Sequence, residues 1–118
     1  NAFYMGEHGS SQFIPWSKIT IGNVGIEEYT RLKGIRLDFN SILEETRYAG
    51  YDVLKGKGST EFGISQAATD IIRAIFHDER RIITVSTLLN GEYNQRGVFA
   101  SVPCRMRPSK PAVISTAN

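Results

Sequence analysis

Gly56-Lys57-Gly58-Ser59-Thr60 ("GKGST") divides the longest helical periodicity of the chain into two. Upstream, Phe39, Ile42, Leu43, Thr46, Ala49, Gly50, Val53 and Leu54 recur at the three-and-four spacing of one helical face. Asp38 stands where an N-cap belongs, and Glu44, Glu45 and Arg47 fall on the side left to water. Gly56 and Gly58 end or kink this helix. Downstream, a second helix starts at Ser59-Thr60 and carries Phe62, Ile64, Ala67, Ala68, Ile71, Ile72 and Ile75 as its stripe. Its small residues (Gly63, Ser65, Ala67, Ala68) predict close packing against something bulky. His77 ends the helix, where a cation is mildly favoured by the dipole.

Outside this helical pair the period falls to that of strands. Ile82-Ile83-Thr84-Val85 and Val98-Phe99-Ala100-Ser101-Val102 are β-branched or alternating, with turns at Asn90-Gly91 and Arg96-Gly97, which predicts an antiparallel hairpin. Toward the N-terminus, Ala2-Phe3-Tyr4-Met5 reads as a buried strand, and Phe13–Trp16 and Lys18–Ile21 as extended pieces. Beyond Cys104 the prolines 108 and 111 predict an irregular tail over 105–118, relieved at most by Ala112-Val113-Ile114. The fold class is therefore α+β: antiparallel strands packed with two long helices, in a single domain over 1–118.

Composition narrows the function classes. A chain of 118 residues, 41% hydrophobic and 22% charged, can bury one core. Its net charge of +2 gives no electrostatic case for a nucleic-acid or membrane partner. The densest basic stretches, Arg80-Arg81 and Arg105-Met106-Arg107, read as solvated surface. A single cysteine, Cys104, forms no internal disulfide, and there is neither a signal peptide nor a long apolar run, so a cytoplasmic location is expected.

Little in the sequence carries chemistry by residue type alone. His8 lies between glycines in Gly6-Glu7-His8-Gly9, with room for a ligand to approach, and histidine is the side-chain type suited to proton transfer near neutrality. Such a histidine serves either as a general acid/base or as a loop residue without a role. A metal site is not supported: the two histidines are far apart in sequence, and no His-x-x-His or Cys-x-x-Cys spacing occurs. Gly56–Thr60 lacks the upstream glycine of a phosphate-binding loop and follows a helix instead of a strand. No Gly-x-Ser-x-Gly elbow is present.

In combination the motifs are more specific. Gly6-Glu7-His8-Gly9 followed by Trp16-Ser17, then Lys57-Gly58-Ser59-Thr60-Glu61-Phe62-Gly63-Ile64, then Val85-Ser86-Thr87, Gly91-Glu92-Tyr93 and Val98-Phe99-Ala100-Ser101-Val102-Pro103-Cys104, resemble in order the blocks of the L-lactate and related L-2-hydroxyacid dehydrogenases. Ser11-Gln12-Phe13 inclines toward the hydroxyisocaproate type. The resemblance spans residues 1 to 104 and corresponds to the C-terminal half of such an enzyme. The Rossmann fingerprint that holds NAD, the substrate arginine, the aspartate that partners the histidine and the closing helix have no counterpart in this sequence.

The resemblance implies roles residue by residue. His8 corresponds to the proton donor and acceptor, Thr60 to the residue beside the small end of the substrate, and Ile64 to the one against the nicotinamide of NAD. It implies interconversion of a 2-hydroxy acid and a 2-oxo acid, a homo-oligomer and no metal. Thr60 is more lactate-like than malate-like, and it also suits a helix N-cap; Ile64 also suits ordinary helix core. Ser10 departs from the aspartate of many lactate members, and Arg105–Asn118 departs from the family pattern. Asn1 stands where members activated by a sugar bisphosphate carry histidine, which argues against such activation. The isolated chain is expected to be inactive. A malate-type domain and a non-catalytic assembly module that keeps the fold are the alternatives.

Overall fold

The computed structural model describes residues 2–115. Asn1, and with it the expectation about sugar-bisphosphate activation, lies outside the described residues. The element order is a 3-10 turn (Trp16–Lys18), β1 (Thr20–Ile21), β2 (Val24–Gly25), α1 (Ile26–Lys33), α2 (Phe39–Lys57), α3 (Glu61–Phe76), β3 (Ile82–Asn90), a 3-10 turn (Glu92–Asn94), β4 (Arg96–Arg105) and β5 (Ala112–Val113). The strands are antiparallel throughout, as the α+β reading requires.

Helix α2 begins and ends where its residues dictate. The Asp38 carboxylate accepts from the backbone N–H groups of Asn40 (3.0 Å) and Ser41 (3.1 Å), satisfying two donors that a helix start leaves open. Asp38→Ala is expected to cost about 1 kcal/mol, read as a lower urea midpoint at unchanged slope. Gly56 is accommodated within α2, and Gly58 ends it in the left-handed region (φ 80°), with its N–H bonded to the Leu54 carbonyl.

The core lies between the second half of α3 and the β3–β4–β5 sheet. Met5, Ala74, Leu89, Val102, Cys104 and Met106 are buried there, with Ile71, Ile75, Ile83 and Val85 packed around them. Burial in this core pushes the Cys104 thiol pKa up, which keeps it protonated. On β4, Ala100, Val102 and Cys104 alternate inward, while Phe99 on the opposite face remains exposed.

One element was not read from the sequence and three expectations need correction. Residues 26–33 form a short charged helix, α1, closed by Gly34 at φ 64°, in which Glu27, Glu28, Arg31 and Lys33 complement the two ends. The extended pieces near the N-terminus shrink to a bridge between Met5 and Phe13, a 3-10 turn at Trp16–Lys18 and the two-residue β1. The tail is not wholly irregular: Met106 is 0% exposed, β5 pairs Val113 with Cys104, and the Tyr93 hydroxyl donates to the Ile114 carbonyl at 2.6 Å. Finally, the helical stripes are only partly buried. Within the chain α2 fully buries no residue, and Val53 and Leu54 of its stripe are exposed, as are Phe62, Ile64 and Ile72 of α3.

Candidate active site

The Gly6–Gln12 loop is built as a closed excursion. Met5 and Phe13 exchange both backbone hydrogen bonds (2.9 Å each), which draws its two arms together. Gly6 and Ser101 exchange another pair (3.0 and 2.7 Å), so the loop springs from the edge of β4 that β5 occupies further along. Gly6 has φ 102°, a conformation closed to most L-residues. Within the loop Gln12 N–H donates to the Gly9 carbonyl, and Ser11 N–H to the Glu7 carboxylate. A Cβ at Gly9 would stand 2.6 Å from the Glu7 Oε1, so a larger residue there would displace the Glu7 carboxylate. His8 itself is exposed, and its side chain has no hydrogen-bond partner among the described residues.

Thr60 occupies the N-cap position of α3, yet its side chain makes no capping bond and is exposed. Its hydroxyl is thus left available, while the Ile64 N–H bonds to the Thr60 carbonyl at 3.4 Å. The two residues lie one helical turn apart on a shared face. Ile64 is 67% exposed, so the core reading of this side chain is overturned within the chain. Close by, Lys57 reaches the Glu61 carboxylate (3.3 Å) and lies 4.0 Å from the centre of the Phe62 ring. The Ser59 hydroxyl is the main cause of a lowered Glu61 pKa, which keeps that carboxylate ionised beside Thr60.

No hydrogen bond joins His8 to Thr60 or Ile64, and neither of two open concavities includes them. One, of ≈ 450 Å³, is lined by Asp78, Arg80, Arg105, Arg107, Pro108 and Ser109; the other by residues 36–40. The two arginines of the Arg105-Met106-Arg107 stretch are exposed there, while Met106 between them points into the core. Among the described residues no cluster of His, Cys, Asp and Glu is placed to hold a metal ion. Among the described residues no helix is long and apolar enough to cross a membrane.

Sequence reasoning missed two residues that hold the loop. Arg47 does not lie on the wet side of α2. Its Nη2 donates to the Gln12 carbonyl at 2.8 Å, and its Nη1 pairs with Glu44 at 2.6 Å. Its Nε is buried and has no hydrogen-bond partner among the described residues. The Tyr4 hydroxyl donates to the Leu43 carbonyl at 3.2 Å. Burial pushes the Tyr4 phenol pKa up, and the Arg47 charge beside it pulls the other way. The available signal was positional: residues 39, 43 and 47 fall on one line of α2.

A sequence model of the lactate/malate dehydrogenase alpha/beta C-terminal domain matches residues 1–116. The chain belongs to this family. The match runs past Cys104, so the tail from Arg105 does not leave the family pattern. L-lactate dehydrogenase 1 of Bifidobacterium longum is 41% identical over 108 residues, which cover 89% of the chain and 34% of that enzyme. L-lactate dehydrogenase 3 of Bacillus thuringiensis is 37% identical over 107 residues, again 34% of its length. The chain thus spans about a third of the curated lactate dehydrogenases it resembles. Among solved structures, the minor L-lactate dehydrogenase of Enterococcus mundtii superposes with a TM-score of 0.88 at 31% identity, over 99% of this chain and 38% of that one. Malate dehydrogenase of Plasmodium falciparum in complex with NADH superposes with a TM-score of 0.89 at 22% identity, covering 100% of this chain and 40% of its own, a likeness of fold.

Proposed function

We propose that this chain is the catalytic domain of an NAD-dependent L-2-hydroxyacid dehydrogenase of the L-lactate type. The observation that carries the reading is an unpartnered, exposed His8 on a loop pinned at both ends, in a chain of this family. His8 gives a proton from an imidazole nitrogen to the carbonyl oxygen of a 2-oxo acid, and takes the hydroxyl proton in the reverse direction. NADH, when bound, supplies the hydride.

Thr60 borders the small end of the substrate with a hydroxyl not spent on capping. Ile64 offers an apolar surface suited to the face of a nicotinamide ring. The chain has no Gly-rich phosphate cradle of the Rossmann type, so NAD is held mainly by a separate domain. That domain supplies the second wall of the site and covers Ile64, which is 67% exposed in this chain. A homo-oligomer and a cytoplasmic location belong to the same reading.

NADH oxidation by the full-length dehydrogenase with a 2-oxo monocarboxylate and a 2-oxo dicarboxylate tests it. The expected result is a higher kcat/KM for the monocarboxylate. Preference for the dicarboxylate would make the enzyme malate-type, and no turnover of either would leave an assembly module.

A further inference from the structure

We propose that Arg47 is a positioning residue that holds the His8 loop in its working geometry from helix α2. The inference rests on the reading of His8 as the proton donor. Helix α2 has no buried residue, and its ties to the loop region lie along a single line. Phe39 stacks on Trp16 with ring centroids 4.5 Å apart, the Leu43 carbonyl accepts from Tyr4, and Arg47 reaches the Gln12 carbonyl. Tyr4 precedes the loop and Gln12 ends it, so adjacent turns of one helix grip both arms.

The guanidinium is itself aimed. Glu44, one turn earlier, takes Nη1 and leaves Nη2 directed at Gln12, a charge-assisted bond to a neutral carbonyl. Nε is stranded in the process, buried and unpartnered. A side chain present only to fill space would not need a donor there. The arrangement instead buys a fixed position for Gln12, and with it the path of the backbone from Gly9 to Phe13 beside His8. Proton transfer depends steeply on placement, and a displacement of about 1 Å can cost about 10²-fold in rate.

The test is made in the full-length dehydrogenase with Arg47→Met and Arg47→Lys. Arg47→Met is expected to lower kcat by about 10- to 10²-fold while KM for the 2-oxo acid changes by less than about threefold. Arg47→Lys, which keeps the charge and one donor, is expected to recover part of the loss. The His8 ring resonances should shift in Arg47→Met while those of His77 do not, and the Phe13 amide should exchange faster. An unchanged kcat, an equal rise in KM or an unmoved His8 signal would overturn the proposal. If Arg47→Met does not fold, the kcat-selective loss and His8 shift in Arg47→Lys decide the matter alone. If the wild-type enzyme turns over no 2-oxo acid, the functional reading fails. The His8 resonances and Phe13 exchange then still report whether Arg47 holds the loop.

Discussion

His8→Asn in the full-length dehydrogenase is expected to lower kcat for 2-oxo acid reduction by about 10²–10⁴-fold, the range for loss of a positioned general acid. Asparagine keeps a hydrogen-bond donor near the imidazole position but cannot release a proton near neutrality. The loop should survive the change, because its closure uses the backbones of Met5, Gly6, Phe13 and Ser101 and the Arg47–Gln12 bond, none of which involves the His8 side chain. Steady-state kinetics should therefore show the loss in kcat with thermal stability near that of wild type. A variant retaining more than about a tenth of the wild-type kcat would remove His8 from its proposed role.

The second large effect is expected from the 118-residue chain on its own. Mixed with NADH and a 2-oxo acid, it should oxidise NADH no faster than buffer. His8 by itself is a loop imidazole, exposed and without a partner, and Thr60 and Ile64 lie on a different element. Catalysis needs the cofactor, the substrate carboxylate and the imidazole held together, an advantage that reaches effective molarities of about 10⁵–10⁸ M in well-oriented systems. In the proposed reading the chain contributes the proton donor, His8. In the proposed full-length enzyme, the separate domain brings the cofactor and an anchor for the substrate carboxylate. An NADH absorbance decay above the buffer rate would refute this division of labour.

The sequence was most informative where local chemistry and packing agree. Asp38 caps, Gly58 terminates, the Ile82–Val85 and Val98–Val102 runs pair, and Ala112-Val113 adds a strand, each as residue type and spacing imply. It was least informative where a residue's fate depends on distant chain. Periodicity identifies an apolar face on α2 and α3 but not what covers it, so Phe62, Ile64 and Ile72 look like core and are exposed. Arg47 looks like a wet residue because its partner, Gln12, lies 35 positions away in sequence. Met106 sits between two exposed arginines and among prolines, yet strand alternation carries it inward. The His8 loop was visible as a motif, but its bridges to Phe13 and Ser101 were not, since backbone pairing leaves no mark on residue type.

The bare stripe of α2 has a thermodynamic side. A helix without buried residues draws little of its order from packing, and isolated helices are marginal in water. Within this chain α2 is secured to the loop region by one ring stack and two side-chain hydrogen bonds, whereas α3 shares in the buried core of the sheet. Local opening of α2 is therefore expected to cost less than opening of the sheet and α3, which amide exchange along α2 and β4 would read. If α2 holds the His8 loop through Arg47 as proposed, a surface that docks on its apolar side would also steady His8 in its proposed role. Docking and activation would then be one equilibrium.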